Sequence, residues 1–329
     1  MLYIIGDLHL SAMNPWNYEI SENFIKWFEG WVASIKKEDN NPHLLWLGDI
    51  TEKDVNPGDV IDQEFRIFQI CSNNFITTHV LMGNHDIKLY RQKAQHSLKF
   101  LRNFSNVSVV DKPIDVNISN TKVRMLPHVR VQGRTLSEYY TTMTFRTDVD
   151  LVVGHWNKYD PSSPIQGGVK TDNMRTKALC LGHVHTRTDP DYTGSVFPNK
   201  VDEVGQRVIK VFNDGAFVKE IELPQFVSYD TIEYPKEIVE PQDGKVHIYT
   251  VEGISNITAA KSFYKNHFIR GVLSKKIDKD QTTGFISDEV FMYKDNYQAF
   301  NDWLKETKYP LSRKAAAILS QILKKGTSA

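Results

Sequence analysis

Short runs of apolar residues, each followed by glycine and a polar residue, recur five times along the chain. The runs and the residues after them are Leu2–Ile5 before Gly6-Asp7, Leu44–Leu47 before Gly48-Asp49, Val80–Met82 before Gly83-Asn84, Val149–Val153 before Gly154-His155, and Ala178–Leu181 before Gly182-His183. Such runs predict buried strands. An open α/β sheet presents the residues that follow its strands at one edge. The pattern therefore predicts an α/β fold with a functional site at that edge.

The remaining periodic segments predict helices and a second, smaller group of strands. Residues Glu19–Lys37 place apolar side chains at three- and four-residue spacing, which predicts a helix with one aromatic, core-facing side. Further predicted strands are Val208–Phe212, Ala216–Leu223, Val246–Val251 and Phe268–Ile277. The last two flank a predicted helix at Ser255–His267, so residues 231–290 are expected to form a small β-α-β domain after a catalytic domain of residues 1–230. Two more helices are expected within residues 291–329, at Asn296–Thr307 and Ser312–Lys325.

Composition limits the classes of function. The 329 residues suit about two domains. The 40 basic and 40 acidic residues give no net charge, unlike a strongly basic autonomous nucleic-acid binder. Basic residues still cluster in two stretches: Lys122, Arg124, His128, Arg130 and Arg134, then Lys261, Lys265, His267, Arg270, Lys275, Lys276 and Lys279. The second stretch can contact DNA, or it can be a solvated helix with Ala259, Phe263 and Phe268 facing inward.

The chain also carries the features of an intracellular protein. Its first strand begins at once, with no charged leader, and no apolar run approaches the ~20 residues needed to cross a bilayer. The two cysteines, Cys71 and Cys180, lie in apolar surroundings and are expected to be free buried thiols. We therefore expect a cytoplasmic protein with no membrane partner.

The polar residues of the five blocks are the oxygen and imidazole ligands that divalent metals accept. Asp7 and His9 are two positions apart, so at an extended strand end they would share one metal, and His183 with His185 would repeat that arrangement. Asp49 can bridge two ions about 3.5–4 Å apart, the separation used to hydrolyse phosphate esters. Taken singly, each block has an ordinary alternative: a helix cap, a turn or a surface histidine pair.

In this order, the blocks resemble the D-x-H, G-D, G-N-H-[DE], H and G-H-x-H motifs of the calcineurin-like metallophosphoesterases. The resemblance covers about the first 230 residues and implies a four-layer α-β-β-α sandwich, with a small α+β capping domain and C-terminal helices. It also implies metal binding by Asp7, His9, Asp49, Asn84, His155, His183 and His185. His85 would serve as general acid or phosphate stabiliser, with Asp86 orienting it.

Within that superfamily, the chain is most similar to the nuclease subunit of SbcCD-type DNA repair complexes and its phage recombination relatives. Tyr192-Thr193-Gly194-Ser195 follows the last histidine motif, and a hairpin then ends in Ile221-Glu222-Leu223-Pro224. Some nuclease members carry His or Asp three positions after the bridging aspartate, where this chain has Glu52.

The nuclease resemblance implies an Mn²⁺-dependent exonuclease or endonuclease, although mixed nitrogen and oxygen ligands also suit Fe, Zn or Mg. The implied partners are DNA, an SMC-like coiled-coil ATPase of the SbcC type docked on the C-terminal helices, and a second copy of the chain. The alternatives are a small-molecule phosphodiesterase, a protein phosphatase, or a non-catalytic scaffold subunit. The C-terminal helices can pack on their own chain instead of docking on the ATPase. The helix at Glu19–Lys37 can likewise pack on its own chain instead of forming a dimer interface.

Overall fold

A computed structural model of the chain describes residues 1–11, 14–52, 58–90, 93–130, 133–145, 147–160, 168–198, 203, 205–239 and 241–273. The strands of the first half are β1 Leu2–Ile5, β2 His43–Trp46, β3 Thr77–Leu81, β4 Ile87–Tyr90, β5 Lys93–His96, β6 Val107–Val110, β7 Ile114–Ile118 and β8 Thr121–Leu126. The later strands are β9 Val149–His155, β10 Thr176–Gly182, β11 Val208–Asn213, β12 Ala216–Glu222, β13 Val227–Glu233, β14 Val246–Glu252 and β15 Phe268–Leu273. The helices are α1 Pro15–Glu38, α2 Gly58–Asn74, α3 Leu136–Thr142, α4 Ile257–Phe263 and a 3-10 helix at Ser97–Asn103.

Two sheets carry the five predicted blocks. Within the described residues, one has the strand order β12-β11-β1-β2-β3-β6 and the other has the order β10-β9-β8-β7. Strands β1, β2, β3 and β6 run parallel to one another, as do β8, β9 and β10. The carboxyl ends of parallel neighbours lie at one edge, so the residues after β1, β2 and β3 meet there.

Apolar side chains from the facing sides of the two sheets form the central core. Leu2, Ile4, Leu45 and Leu81 of the larger sheet belong to one buried cluster with Val123, Met125, Leu151, Val153 and Cys180 of the smaller sheet. Helices cover the outer sides. Phe24 and Phe28 of α1 pack on Trp46 of β2, while Tyr140 of α3 shares a buried cluster with Val152 of β9. The four-layer α-β-β-α sandwich is thereby confirmed.

Helix α1 contains the predicted helix Glu19–Lys37 and shows why the spacing of its apolar residues was informative. Pro15 occupies its first turn, and Lys36 and Lys37 lie in its last turn, where cations favour the helix dipole. Its buried positions recur every three or four residues and include Ile20, Phe24, Phe28, Trp31 and Ile35. The aromatic side of α1 therefore packs in the core of its own chain.

A second compact unit holds residues 229–239 and 248–273 of the described chain, while residues 241–247 belong to the first unit. Its sheet has the order β13-β14-β15, and β14 pairs in parallel with β15. Between them, α4 begins at Asn256, whose side chain accepts hydrogen bonds from the backbone N–H groups of Thr258 and Ala259. The predicted β-α-β order is confirmed in this part of the chain. The assignment of residues 231–290 as a DNA-facing cap stays a prediction.

The inward side of α4 differs from the predicted one. Ala260 and Tyr264 are buried in the small core, whereas Ala259 is exposed and Phe263 is half exposed. The helix is thus rotated by one residue relative to the expected phase. Tyr264 Oη donates to the carbonyl of Lys236, which explains why the amphipathic tyrosine takes the inward position.

In the first basic stretch, Arg124 is buried and does not contribute to an exposed basic surface. Its side chain is buried and donates to both carboxylate oxygens of Asp115, to the carbonyl of Met174 and to Thr147. Its guanidinium carbon also lies 4.2 Å from the centre of the Phe145 ring. Arg124 therefore ties β8 to neighbouring loops.

Several other predictions concern the rest of the chain. Both cysteines are free and buried, as predicted. None of the helices in the described residues is long and apolar enough to span a membrane. The predicted C-terminal helices, residues 274–290, and Lys275, Lys276 and Lys279 lie outside the described residues.

Candidate metal centre

The loops after β1 and β2 are joined by backbone hydrogen bonds that place Asp7, His9 and Asp49 side by side. The N–H groups of Leu8 and His9 both donate to the carbonyl oxygen of Asp49, at 3.1 and 2.8 Å. His9 and Asp49 have positive φ angles of 51° and 45°, and His183 has 78°. Backbone in this region costs a non-glycine residue about 1–3 kcal/mol and is typical of functional sites.

Six of the predicted ligands come together in two sets of three. One ligand atom each from Asp7, His9 and His185 lie within 4.8 Å of one another, and we call these residues set A. The same holds for Asp49, His155 and His183, which we call set B. Within each set, the side chains are therefore close enough to converge on one cation.

Asp49, a member of set B, also faces His9 of set A. Its Oδ2 atom is 3.7 Å from Nε2 of His9 and 3.1 Å from Nε2 of His155. Its Oδ1 atom accepts a hydrogen bond from the backbone N–H of His85 at 2.8 Å. This position is the one required of a bridging carboxylate, the role predicted for Asp49.

Asn84 joins set B through its amide oxygen. Oδ1 lies 3.0 Å from Nε2 of His155 and 2.9 Å from Nδ1 of His183. All seven side chains predicted as ligands are thus brought to one edge of the sandwich. Their role as ligands remains a prediction that this geometry supports.

The expected pairing of His183 with His185 is wrong. His183 belongs to set B and His185 to set A, although only one residue separates them. The reason is the left-handed backbone at His183, since the expectation assumed an extended strand end where alternate side chains point the same way.

Two glycines are needed because ligand groups approach their α-carbons closely. A Cβ atom on Gly83 would overlap Oδ1 and the backbone nitrogen of Asp49. A Cβ atom on Gly182 would overlap Oδ1 of Asp7. The glycine in these two blocks therefore makes room for a carboxylate from a neighbouring loop.

The buried carboxylates favour a positive charge between them. Burial raises the pKa of Asp7 above its ordinary value. Although burial acts to raise the pKa of Asp49, His155 and His9 hold it well below its usual range. Burial acts to lower the pKa of His155, but Asp49 and Asp7 raise it to about 10. A proton on His155 or a divalent cation can supply that positive charge.

The donor set fits divalent cations. Oδ1 of Asp7 and Nε2 of His9 are buried and have no hydrogen-bond partner among the described residues. Nδ1 of His155 donates to the carbonyl of Leu47 at 2.7 Å, so the Nε2 atom of the neutral ring carries a lone pair. When a cation takes the place of the second proton on this ring, Nε2 offers its lone pair beside oxygens of Asp49 and Asn84, a mixed nitrogen and oxygen set that suits such a metal.

His85 reaches the centre, but Asp86 does not orient it. A nitrogen of His85 lies within 4.8 Å of ligand atoms of His9 and Asp49. The fully buried Asp86 instead accepts hydrogen bonds from the backbone N–H groups of Gly83 and Ile50. It fastens the loops after β2 and β3 to each other, so the predicted orienting role of Asp86 is wrong.

Glu52 takes the orienting role. Its backbone carbonyl accepts from Nδ1 of His85 at 2.9 Å, and Oε2 of its side chain lies 2.6 Å from Nδ1 of His9. From the sequence, Glu52 was noted only because some nucleases have His or Asp at this position, three residues after the bridging aspartate.

Two further residues beside the centre were missed or misplaced by sequence reasoning. Oε1 of Glu203 lies 3.0 Å from Nδ1 of His185, and no sequence motif marked this glutamate. His128, which was assigned to a basic stretch, has its ring 6.4 Å from that of His155. Burial lowers the pKa of His128 to about 4, so at neutral pH it is an uncharged neighbour of the centre.

The sequence profile of the calcineurin-like phosphoesterase family matches residues 1–187, more than half of the chain, and includes all seven predicted ligands. The chain belongs to this family. It is therefore a hydrolase of phosphate esters that uses divalent metal ions, and its predicted superfamily, fold class and enzyme class are confirmed. No curated protein matches the chain.

Proposed function

We propose that this phosphoesterase is an Mn²⁺-dependent DNA nuclease, the nuclease subunit of an SbcCD-like repair and recombination complex. The main support is the Tyr-x-Gly-Ser segment, which resembles the nuclease branch and braces the metal centre. The backbone N–H of Ser195 donates to the carbonyl of His185, and that of Val196 donates to the carbonyl of Asp7. A segment typical of nucleases thus holds two loops of set A.

The degree of exposure within the centre supports a polymeric substrate. Asp7, His9, Asp49 and His155 are almost fully buried. The side chains of His85 and His185 are 35% and 23% exposed. One side of the centre is therefore open, so that a phosphodiester within a long strand can reach the buried ligands without entering a closed cavity.

The proposed reaction assigns separate tasks to these residues. Cations held by set A and by set B with Asn84 would supply Lewis acidity at the phosphate and lower the pKa of a bound water molecule. Nδ1 of His85 donates to Glu52, which leaves Nε2 to protonate or stabilise the leaving oxygen. Asp86 keeps the loop of His85 in place through its two backbone hydrogen bonds.

The proposal extends to partners and domains. Residues 1–230 would be the catalytic domain, residues 231–290 a DNA-facing cap, and residues 291–329 a helical segment that docks on an SMC-like ATPase. Exposed Lys261, Lys265 and Arg270 support contact between the second unit and a nucleic-acid backbone. A partner that binds DNA would also explain a near-neutral nuclease. A homodimer and a cytoplasmic location complete the proposal.

The test is cleavage of labelled single- and double-stranded DNA by the purified chain with Mn²⁺, beside a small chromogenic phosphodiester. Asn84→Ala is the control, because it removes the amide oxygen of set B. We expect the wild type to cleave DNA and the variant to lose this activity. Hydrolysis of the small ester alone would reject the nuclease and favour a small-molecule phosphodiesterase or phosphatase. Lack of activity on both substrates would favour a scaffold role.

A further inference from the structure

Two glutamates lie directly behind the histidines of set A. Oε2 of Glu52 is 2.6 Å from Nδ1 of His9, and Oε1 of Glu203 is 3.0 Å from Nδ1 of His185. Both contacts use Nδ1, which leaves Nε2 of each ring for a metal. For His9, that Nε2 atom is buried and faces the carboxylates of Asp7 and Asp49.

Among the residues that the structure describes, the histidines of set B have no carboxylate hydrogen bonded to the ring nitrogen remote from the metal position. Nδ1 of His155 donates to the backbone carbonyl of Leu47, and Oδ1 of Asp7 lies 3.7 Å from the same nitrogen. Nδ1 of His183 lies 2.9 Å from the amide oxygen of Asn84, which is itself a predicted ligand, so this nitrogen is on the metal side. Among the described residues, a carboxylate oxygen within 3.0 Å of the ring nitrogen remote from the metal position is therefore found only behind the histidines of set A.

A carboxylate behind a metal-binding histidine fixes its tautomer and makes its free nitrogen a stronger donor. Such outer partners typically change metal affinity about 10–100-fold each. The two glutamates also add negative charge near set A, which attracts a divalent cation in a poorly screened environment. Both effects act in the same direction on set A.

We propose that Glu52 and Glu203 make the two metal positions unequal, so that set A binds the first divalent cation tightly and set B binds the second more weakly. This inference rests on the ligand assignment and not on DNA as the substrate. It implies a protein that retains one ion when metal is scarce and gains its second ion only as the metal concentration rises.

Glutamine variants isolate the charge of each glutamate. Glu52→Gln keeps the backbone carbonyl that accepts from His85, and its amide oxygen can still accept from His9. In Glu203→Gln, the amide oxygen can still accept from His185. This variant provides a second test should the other fail to fold. Glu22→Gln is the matched control, since this partly buried carboxylate is hydrogen bonded to Arg66 and Gln63 between α1 and α2.

The decisive measurement is titration of the metal-free full chain with Mn²⁺, with free Mn²⁺ followed by electron paramagnetic resonance. We expect two binding steps in the wild type, separated by about 100-fold or more in affinity. Each of Glu52→Gln and Glu203→Gln should weaken the tight step about 10–100-fold and change the weak step much less. Glu22→Gln should leave both steps unchanged. Thermal unfolding of the metal-free variants checks that they are folded.

A second measurement distinguishes a change in the donor strength of the set A histidines from a general loosening of the fold. With Co²⁺ in place of Mn²⁺, the visible absorption bands of the first bound equivalent should shift in Glu52→Gln and Glu203→Gln, while the increment from the second equivalent stays the same. A merely loosened fold would alter both increments together.

Three outcomes would overturn the inference: a single indistinguishable step in the wild type, equal weakening of both steps in the variants, or an unchanged tight step. Absence of any Mn²⁺ binding would reject the ligand assignment as well. Failure of the nuclease proposal is distinguishable, because a protein that binds two unequal ions and leaves DNA intact contradicts only the choice of substrate.

Discussion

Two buried polar clusters in the same sandwich differ in how their charges are satisfied. Around Arg124, every charged donor group has a protein acceptor, supplied by Asp115, Met174 and Thr147. In the metal centre, buried atoms of Asp7 and His9 have no hydrogen-bond partner within the described chain. The first cluster is complete as a protein structure, whereas the second is completed only by a ligand. We therefore expect changes at Arg124 to affect stability and changes in the metal centre to affect chemistry.

The largest effect is expected for Asp49→Asn. The change removes the negative charge at the position between sets A and B, and bound cations contribute several kcal/mol to transition-state stabilisation. Phosphodiester hydrolysis should therefore fall about 10³-fold or more. Steady-state rates of the metal-loaded variant test this expectation, and a fall of less than about 10-fold would contradict it.

Substitution of His85 should separate chemistry from metal binding. His85→Gln is expected to lower the rate about 10²–10⁴-fold, the contribution typical of a positioned proton donor. Its Mn²⁺ stoichiometry should stay the same, since His85 is not expected to be a ligand. The checks are single-turnover rates and Mn²⁺ titration. Loss of one bound equivalent would show that His85 belongs to the ligand set, beside His9 and Asp49.

Arg124→Met should destabilise the protein without changing catalysis at saturating metal. The variant loses hydrogen bonds to Met174 and Thr147, but the carboxylate of Asp115 is 45% exposed and can be solvated. We therefore expect a loss of about 2–3 kcal/mol in the free energy of unfolding. Lys177→Met is the matched control. Its ammonium group binds Asp150 at the surface, so the loss should stay below about 1 kcal/mol. Equal losses in chemical denaturation would contradict the argument.

The pH dependence of stability can be tested at His79, a partly buried histidine outside both clusters. Burial and the neighbouring His43 lower the pKa of His79 from 6.5 to about 4. The folded state therefore favours the neutral ring, so this stability is fully present above about pH 6.5 and is lost as the pH falls towards 4. The contribution is about 3 kcal/mol. His79→Gln should flatten the stability profile between pH 6.5 and 4, and an unchanged slope would contradict the assignment.

Local patterns predicted the five strands that precede the ligand residues, and the seven proposed ligands, because each block combines an apolar run with a glycine and a polar residue. Strands β4 to β8 and β13 lack this pattern and were not predicted. Residues whose role depends on distant neighbours were harder to place. Glu203 contacts a histidine 18 positions earlier, through a loop that carries no motif. Arg124 belongs to a basic stretch of the sequence, but its side chain is buried and its acceptors come from three other segments. The phase of α4 was missed by one residue because both phases place an aromatic side chain inward.

The sequence by itself determined where along the chain the five strands that carry the blocks lie, which residues follow them and the kind of metal ligands these offer, since these follow from short-range periodicity and side-chain chemistry. The tertiary structure alone decided how the ligands divide into two sets. That division depends on the left-handed backbone at His9, Asp49 and His183, which is stabilised by hydrogen bonds between loops far apart in sequence. It also decided that Glu52 and Glu203 support one set only, because contact across the fold is a property of packing and not of spacing along the chain.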